Sequence, residues 1–184
     1  MKVLSIENGF LKGKKINIVS DKRTRYTPAN VRRALLNIVD VTEMNSLEIF
    51  GGSGIISFEF ISSGVEKATI IETSRKACST IIRNAKSLKI DNKIKLICAD
   101  FRKAVVKLIE KYDIIFMDPP FQMGLAEEAL KKISENKKIY DENTIIIVEH
   151  SKREILKKKY GDLMIDKEYN YGDIKLSIYL KEGE

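Results

Sequence analysis

The chain reads as an α/β protein, a doubly wound and mostly parallel sheet with helices on both faces, and three observations predict it. From residue 46 onward, short apolar runs alternate with stretches of helical periodicity, the pattern of successive βα units. The runs at residues 68–71 and 144–148 are almost continuously apolar or β-branched, as strands covered on both faces are. Gly51, Gly52 and Gly54 cluster where one such run gives way to a helical stretch, which predicts a tight strand-to-helix turn. A length of 184 residues suits one domain with a proper core.

Residues 2–18 alternate loosely around Gly9 and Gly13 and predict a small N-terminal β-hairpin, followed by a basic loop over 20–26. Thr27-Pro28 predicts a helix start, with Thr as N-cap and Pro at the first helical position. Val31, Ala34, Leu35, Ile38 and Val39 then recur at helical spacing, which leaves Arg32 and Arg33 on or near the exposed flank. Strands are predicted at 46–50, 67–72, 94–98, 112–117 and 144–150, with helices near 55–63, 74–88, 102–110 and 125–136. At the C-terminus, 163–171 and 174–180 predict an antiparallel hairpin turning at Gly172-Asp173 and closing the sheet edge.

Composition excludes several classes. A 43% hydrophobic and 32% charged chain is soluble and globular in type. No 18-residue apolar run occurs, and charges interrupt the N-terminus before a signal peptide could form, so no membrane partner is expected and the compartment is cytoplasmic. Cys78, Cys98 and His150 cannot build a zinc site of ordinary spacing; no metal is expected, and both cysteines are read as reduced core thiols. His150, next to Glu149, reads as a hydrogen-bonded strand-end residue. The charge is segregated. Residues 1–39 carry nine Lys or Arg against Glu7 and Asp21, which accounts for the whole net charge of +7; the rest holds 24 basic and 24 acidic residues. A basic segment of 1–39 on a neutral body of 40–184 is the form of a polyanion-binding extension. Its candidate phosphate contacts are Lys12, Lys14, Lys15, Arg23 and Arg25, with Arg32 and Arg33 besides.

In such a sheet, ligands bind outside the carboxyl ends of the strands at the switch point. Four strand ends carry candidate residues. The first is Glu48, Phe50 and the glycine turn Gly51, Gly52, Gly54, where backbone can approach a ligand closely. The second is Glu72, 18 residues beyond Gly54 and placed for ribose hydroxyls. The third is Asp100, placed for an adenine amino group. A dinucleotide fingerprint would want a third glycine where Ser57 stands and has no use for Glu48; an acidic residue there suits a cationic amino acid portion, hence S-adenosylmethionine. The fourth end, Asp118-Pro119-Pro120-Phe121, combines a carboxylate, a stiff carbonyl-bearing turn and an aromatic face, a set suited to a flat base with an exocyclic amine.

With these residues the chain resembles class I methyltransferases, which have a Rossmann-like fold, and within them the bacterial 16S ribosomal RNA guanine-N2 methyltransferase family. Lys12-Gly13-Lys14-Lys15 is similar to the family's early basic element, and Thr24-Arg25-Tyr26-Thr27 with 31–37 to its Thr-Arg-Pro-Thr stretch and following helix. The glycine loop 47–54 and the closing residues Tyr171-Gly172-Asp173 also match. Glu48 stands for an expected Asp, Tyr26 for a Pro, and Ala29-Asn30 for an Asp-Arg pair. The resemblance implies transfer of a methyl group to a guanine of 16S ribosomal RNA by a monomer, within an assembled or partly assembled small subunit. The same catalytic motif also serves adenine-N6 and glutamine methyltransferases, and a binding factor that retains the fold without catalysis is a further alternative.

Overall fold

The computed structural model describes residues 3–19 and 26–183. The chain opens with an antiparallel ribbon, β1 (Val3–Ser5) and β2 (Lys15–Asn17), followed by helix α1 (Ala29–Ile38). Next come β3 (Asn45–Ile49), α2 (Ile55–Ser62), β4 (Lys67–Glu72), α3 (Arg75–Ser87), β5 (Ile94–Cys98), a short α4 (Phe101–Ala104), β6 (Ile114–Met117), α5 (Leu125–Glu135) and β7 (Ile145–Ser151). The chain ends with β8 (Lys159–Tyr160), β9 (Leu163–Tyr171) and β10 (Ile174–Lys181). The sheet order is β5-β4-β3-β6-β7-β10-β9-β8, parallel from β5 to β7 and antiparallel beyond. From β3 the chain steps outward to β4 and β5, then returns to place β6 on the other side of β3. The switch point therefore lies between β3 and β6.

Strand side chains alternate between two cores. Ile114 and Phe116 join the layer formed with α1, α2 and α3, while Ile115 and Met117 join the layer formed with α4 and α5. This is the doubly wound arrangement that the continuous apolar strands require. Helix α2 is buried on every side. The sheet covers its inner face, and the N-terminal ribbon covers its outer face through Ile6, Leu11 and Ile16. Ser62 ties the two together: its hydroxyl accepts from Leu11 N (2.8 Å) and donates to Asn8 O (2.5 Å). Gly9 is needed at this contact, since at φ +71° a Cβ there would stand 1.7 Å from Ser62 O.

Several sequence expectations change. Helix α1 takes Pro28, not Thr27, as its N-cap, and the Thr27 hydroxyl donates to Asp118 instead. The predicted helix 102–110 is only α4 followed by a single 3-10 turn at Val105–Lys107, after which Leu108 is extended. Strand β8, two residues long, is too short to leave a periodic signal. Cys78 and Cys98 are not separate thiols but a disulfide, with Cα atoms 6.1 Å apart. Helix α3 packs back across β4 and β5, so its first turn descends beside the end of β5; twenty residues of sequence separation conceal that proximity. His150 is hydrogen-bonded as expected, with Nε2 2.8 Å from Ser177 Oγ and Nδ1 3.0 Å from Ser151 O; it is also buried, which pushes its pKa down. Among the described residues, no helix is long and apolar enough to cross a membrane and no cluster could hold a metal.

Candidate active site

The carboxyl ends of β3, β4 and β6 open on one cavity of about 770 Å³ at the switch point. From the predicted set, its walls include Glu48, Phe50, Gly51, Gly52, Glu72, Asp118, Pro119, Pro120 and Phe121. Beyond β3 the chain bends sharply: Phe50 takes φ +67°, a left-handed conformation that costs energy for a non-glycine residue and is found where a site dictates the backbone. Gly52 follows at φ +55°, and a Cβ there would meet nothing nearer than the Tyr26 ring at 4.0 Å, so the turn is open on its cavity side. Gly51 instead packs on the sheet, where a Cβ would clash with Ile70 at 2.3 Å. Gly54 is the N-cap of α2 and does not line the cavity.

Glu72 braces this turn. Its Oε2 accepts from Gly52 N and its Oε1 from Ser74 N, both at 2.7 Å. Glu48 is buried, and its Oε2 accepts from Ser57 N (3.0 Å) and Ser57 Oγ (2.5 Å). Burial pushes the Glu48 carboxyl up to about 8; the Ser57 hydrogen bonds oppose the rise and the Glu72 charge adds to it. Ser57, read in the sequence only as a missing glycine, is thus the residue that orients Glu48. A buried carboxylate held by Ser57 at the cavity wall suits a cationic ligand group.

Asp118 and Pro119 follow β6, which pairs directly with β3, and Pro120, Phe121 and Met123 also line the cavity. Thr27 Oγ1 donates to Asp118 Oδ2 at 3.3 Å, a link no local sequence signal could disclose, since 91 residues separate the pair. Gln122 at φ +60° turns the chain away toward α5.

Besides Gly54, two predicted groups lie elsewhere. Asp100 caps α4, accepting from Arg102 N (2.8 Å) and Arg102 Nη1 (3.1 Å), and is not in the cavity wall. Arg32, read as a phosphate contact on an exposed flank, is 2% exposed and turned inward. Its Nε donates to Glu59 Oε1 (3.0 Å), its Nη1 to Thr27 O (2.8 Å) and its Nη2 to Ser5 O (2.9 Å). That expectation is corrected: a guanidinium locked among three elements cannot reach a phosphate. Arg33 stays half exposed and pairs with Glu7 (2.7 Å), while Lys12, Lys14 and Lys15 are exposed on and beside the ribbon. Arg23 and Arg25 lie outside the described residues.

A family profile described as Conserved hypothetical protein 95 matches residues 1–180. The chain belongs to this family. Among its relatives, ribosomal RNA small subunit methyltransferase D of Buchnera aphidicola is 34% identical over 152 residues, covering 81% of this chain and 78% of that protein. The protein of the same name from Escherichia coli is 26% identical, covering 98% of this chain and 91% of its own length. A solved putative methyltransferase from Escherichia coli superposes with a TM-score of 0.84 at 24% identity over the full length of both chains. A putative methylase from Haemophilus influenzae gives 0.83 at 24% identity, covering 99% of this chain and all of that one. The fold of the family member described here is therefore the Rossmann-like methyltransferase fold, with an antiparallel C-terminal hairpin. Both of these relatives from Buchnera aphidicola and Escherichia coli are named as ribosomal RNA methyltransferases.

Proposed function

We propose that the protein transfers a methyl group from S-adenosylmethionine to the exocyclic N2 amine of a guanine in small-subunit (16S) ribosomal RNA. One observation carries this reading: a single cavity is lined by Asp118, Pro119 and Phe121 together with Glu48, Gly51, Gly52 and Glu72. The residues fit the cofactor. Glu48 would face its ammonium group, the backbone beside Gly52 its amino acid portion, and the braced Glu72 its ribose hydroxyls. Asp100, which caps α4 outside the cavity wall and accepts from Arg102, is given no part in holding the cofactor. When bound, the cofactor supplies an electrophilic methyl group on a sulfonium, and no metal is required.

The chain's own residues then act on the amine. Its nitrogen is a weak nucleophile because the lone pair is delocalised into the ring. Asp118 and the Pro119 carbonyl each accept one amino hydrogen, which turns the lone pair toward the methyl group and favours a tetrahedral nitrogen. Pro119 and Pro120 hold that carbonyl in a rigid turn. Phe121 stacks on the base, which must first leave its own stack. The released proton passes to solvent, directly or through Asp118.

Residues 1–39 form the RNA-contacting extension and 40–184 the catalytic body, a functional division, since the ribbon shares its core with α2. Lys12, Lys14, Lys15, Arg23, Arg25 and Arg33 position phosphates. Selectivity then comes from the shape of an assembled or partly assembled subunit, bound by a monomer in the cytoplasm.

The test is incubation with labelled S-adenosylmethionine and unmodified small subunits, followed by digestion of the RNA to nucleosides. N2-methylguanosine is expected. Label in N6-methyladenosine would favour the adenine reading, and label on a ribosomal protein would overturn both. Asp118→Ala should abolish transfer while calorimetry still shows cofactor binding.

A further inference from the structure

Thr27 belongs to the N-terminal segment, yet it is 3% exposed and lines the catalytic cavity. Its hydroxyl does not cap α1, whose N-cap position falls on Pro28 without any side-chain bond. Instead it donates to Asp118 Oδ2 at 3.3 Å. The backbone of Thr27 is fixed independently of that contact. Its carbonyl accepts from Arg32 Nη1 at 2.8 Å, and Arg32 is anchored in turn on Glu59 of α2 and on the ribbon at Ser5 O. Glu59 also accepts from Glu7 N (2.9 Å) and Asn8 N (3.2 Å), so ribbon, α1 and α2 converge on one buried ion pair just behind Thr27. Pro28 at φ −59° stiffens the following link.

We propose that Thr27 is a positioning residue for Asp118: its hydroxyl holds the carboxylate in the rotation that presents an oxygen to the amine. The N-terminal segment would thereby complete the catalytic end of the cavity as well as bind RNA. This inference rests on the function proposed above. A distance of 3.3 Å is long for a hydroxyl–carboxylate bond, so the contact adds little to stability. Orientation matters because a misplacement of about 1 Å at a reacting group costs on the order of 10²-fold in rate.

The test compares wild type, Thr27→Val and Thr27→Ser in steady-state methylation of unmodified small subunits, with cofactor affinity by calorimetry and thermal midpoints alongside. Thr27→Val, which keeps shape and loses the hydroxyl, should lower kcat by roughly 10- to 100-fold, with cofactor affinity and midpoint unchanged. Thr27→Ser should restore most of the rate. A Thr27→Val enzyme with wild-type kcat overturns the proposal. So does an equal loss in Val and Ser variants, or a loss of cofactor binding, since either marks a packing role. Thr27→Ala makes the same comparison if the Val variant does not fold. A wild-type protein that transfers nothing to small subunits sinks the function itself and this inference with it, whereas an active wild type indifferent to Thr27 sinks only the inference.

Discussion

Under the proposed function, Glu48 carries both cofactor selection and a pH dependence. Burial raises its carboxyl from 4.5 to about 8, so the folded protein holds the proton more tightly than the unfolded chain does. That contribution to stability is present in full below the unfolded value of 4.5 and is lost as pH rises through about 8. A cationic ligand group reverses the preference, because it favours the ionised carboxylate. Cofactor binding at about pH 7 should therefore release a proton, and affinity should climb with pH until about 8. Calorimetry in buffers of different ionisation enthalpy measures the release directly, and Glu48→Gln should remove both the release and the pH slope. An affinity flat between about pH 6 and 8 in wild type would falsify this role. The acidic position was legible in the sequence, but its partner Ser57 was not. Nothing in a spacing of nine residues says that a hydroxyl and an N–H at the start of a helix will both fold back onto the preceding strand.

At the scale of elements, helix α1 was legible from its apolar spacing, while the burial of Arg32 was not. Periodicity counts only apolar residues, and Arg32 falls between Val31 and Ala34 on a flank that looks exposed until the ribbon folds over it. Arg32 and Glu59, at 2% and 1% exposure, form an ion pair that joins α1 to α2 and takes in the ribbon. Removing one partner leaves the other charge buried and uncompensated, so Arg32→Met should cost about 3–5 kcal/mol in urea unfolding. Adding Glu59→Gln to that variant should recover part of the loss; no recovery would mean that the pair is not what holds the elements together. Helix α2 was likewise half legible. Its apolar composition all round predicts burial on every side, but not that a ribbon some fifty residues earlier supplies the outer cover.

Across the whole molecule, the segregated charge is the widest feature and the one most directly readable. The structure leaves Lys12, Lys14 and Lys15 exposed on and beside the ribbon and removes Arg32 from the basic surface. Removing one lysine that neutralises a phosphate should lower the slope of log affinity against log salt by about 0.7–0.9. A triple Lys→Ala variant at these positions should thus weaken RNA binding and flatten its salt dependence, whereas Arg32→Met should leave the slope unchanged even as it destabilises the fold. An unaltered slope in the triple variant would place the RNA elsewhere. The sequence by itself determined the doubly wound sheet, the glycine turn, the Asp118-Pro119-Pro120-Phe121 strand end and the basic N-terminal fifth. Those signals are local: strand and helix periods, turn residues and charge counts are all written within a few neighbouring positions. Only the tertiary structure decided that Arg32 turns inward, that Thr27 meets Asp118, and that Cys78 joins Cys98. Each of these depends on which elements the sheet order brings together, and contacts between residues 20 to 91 positions apart leave no periodic trace in the chain.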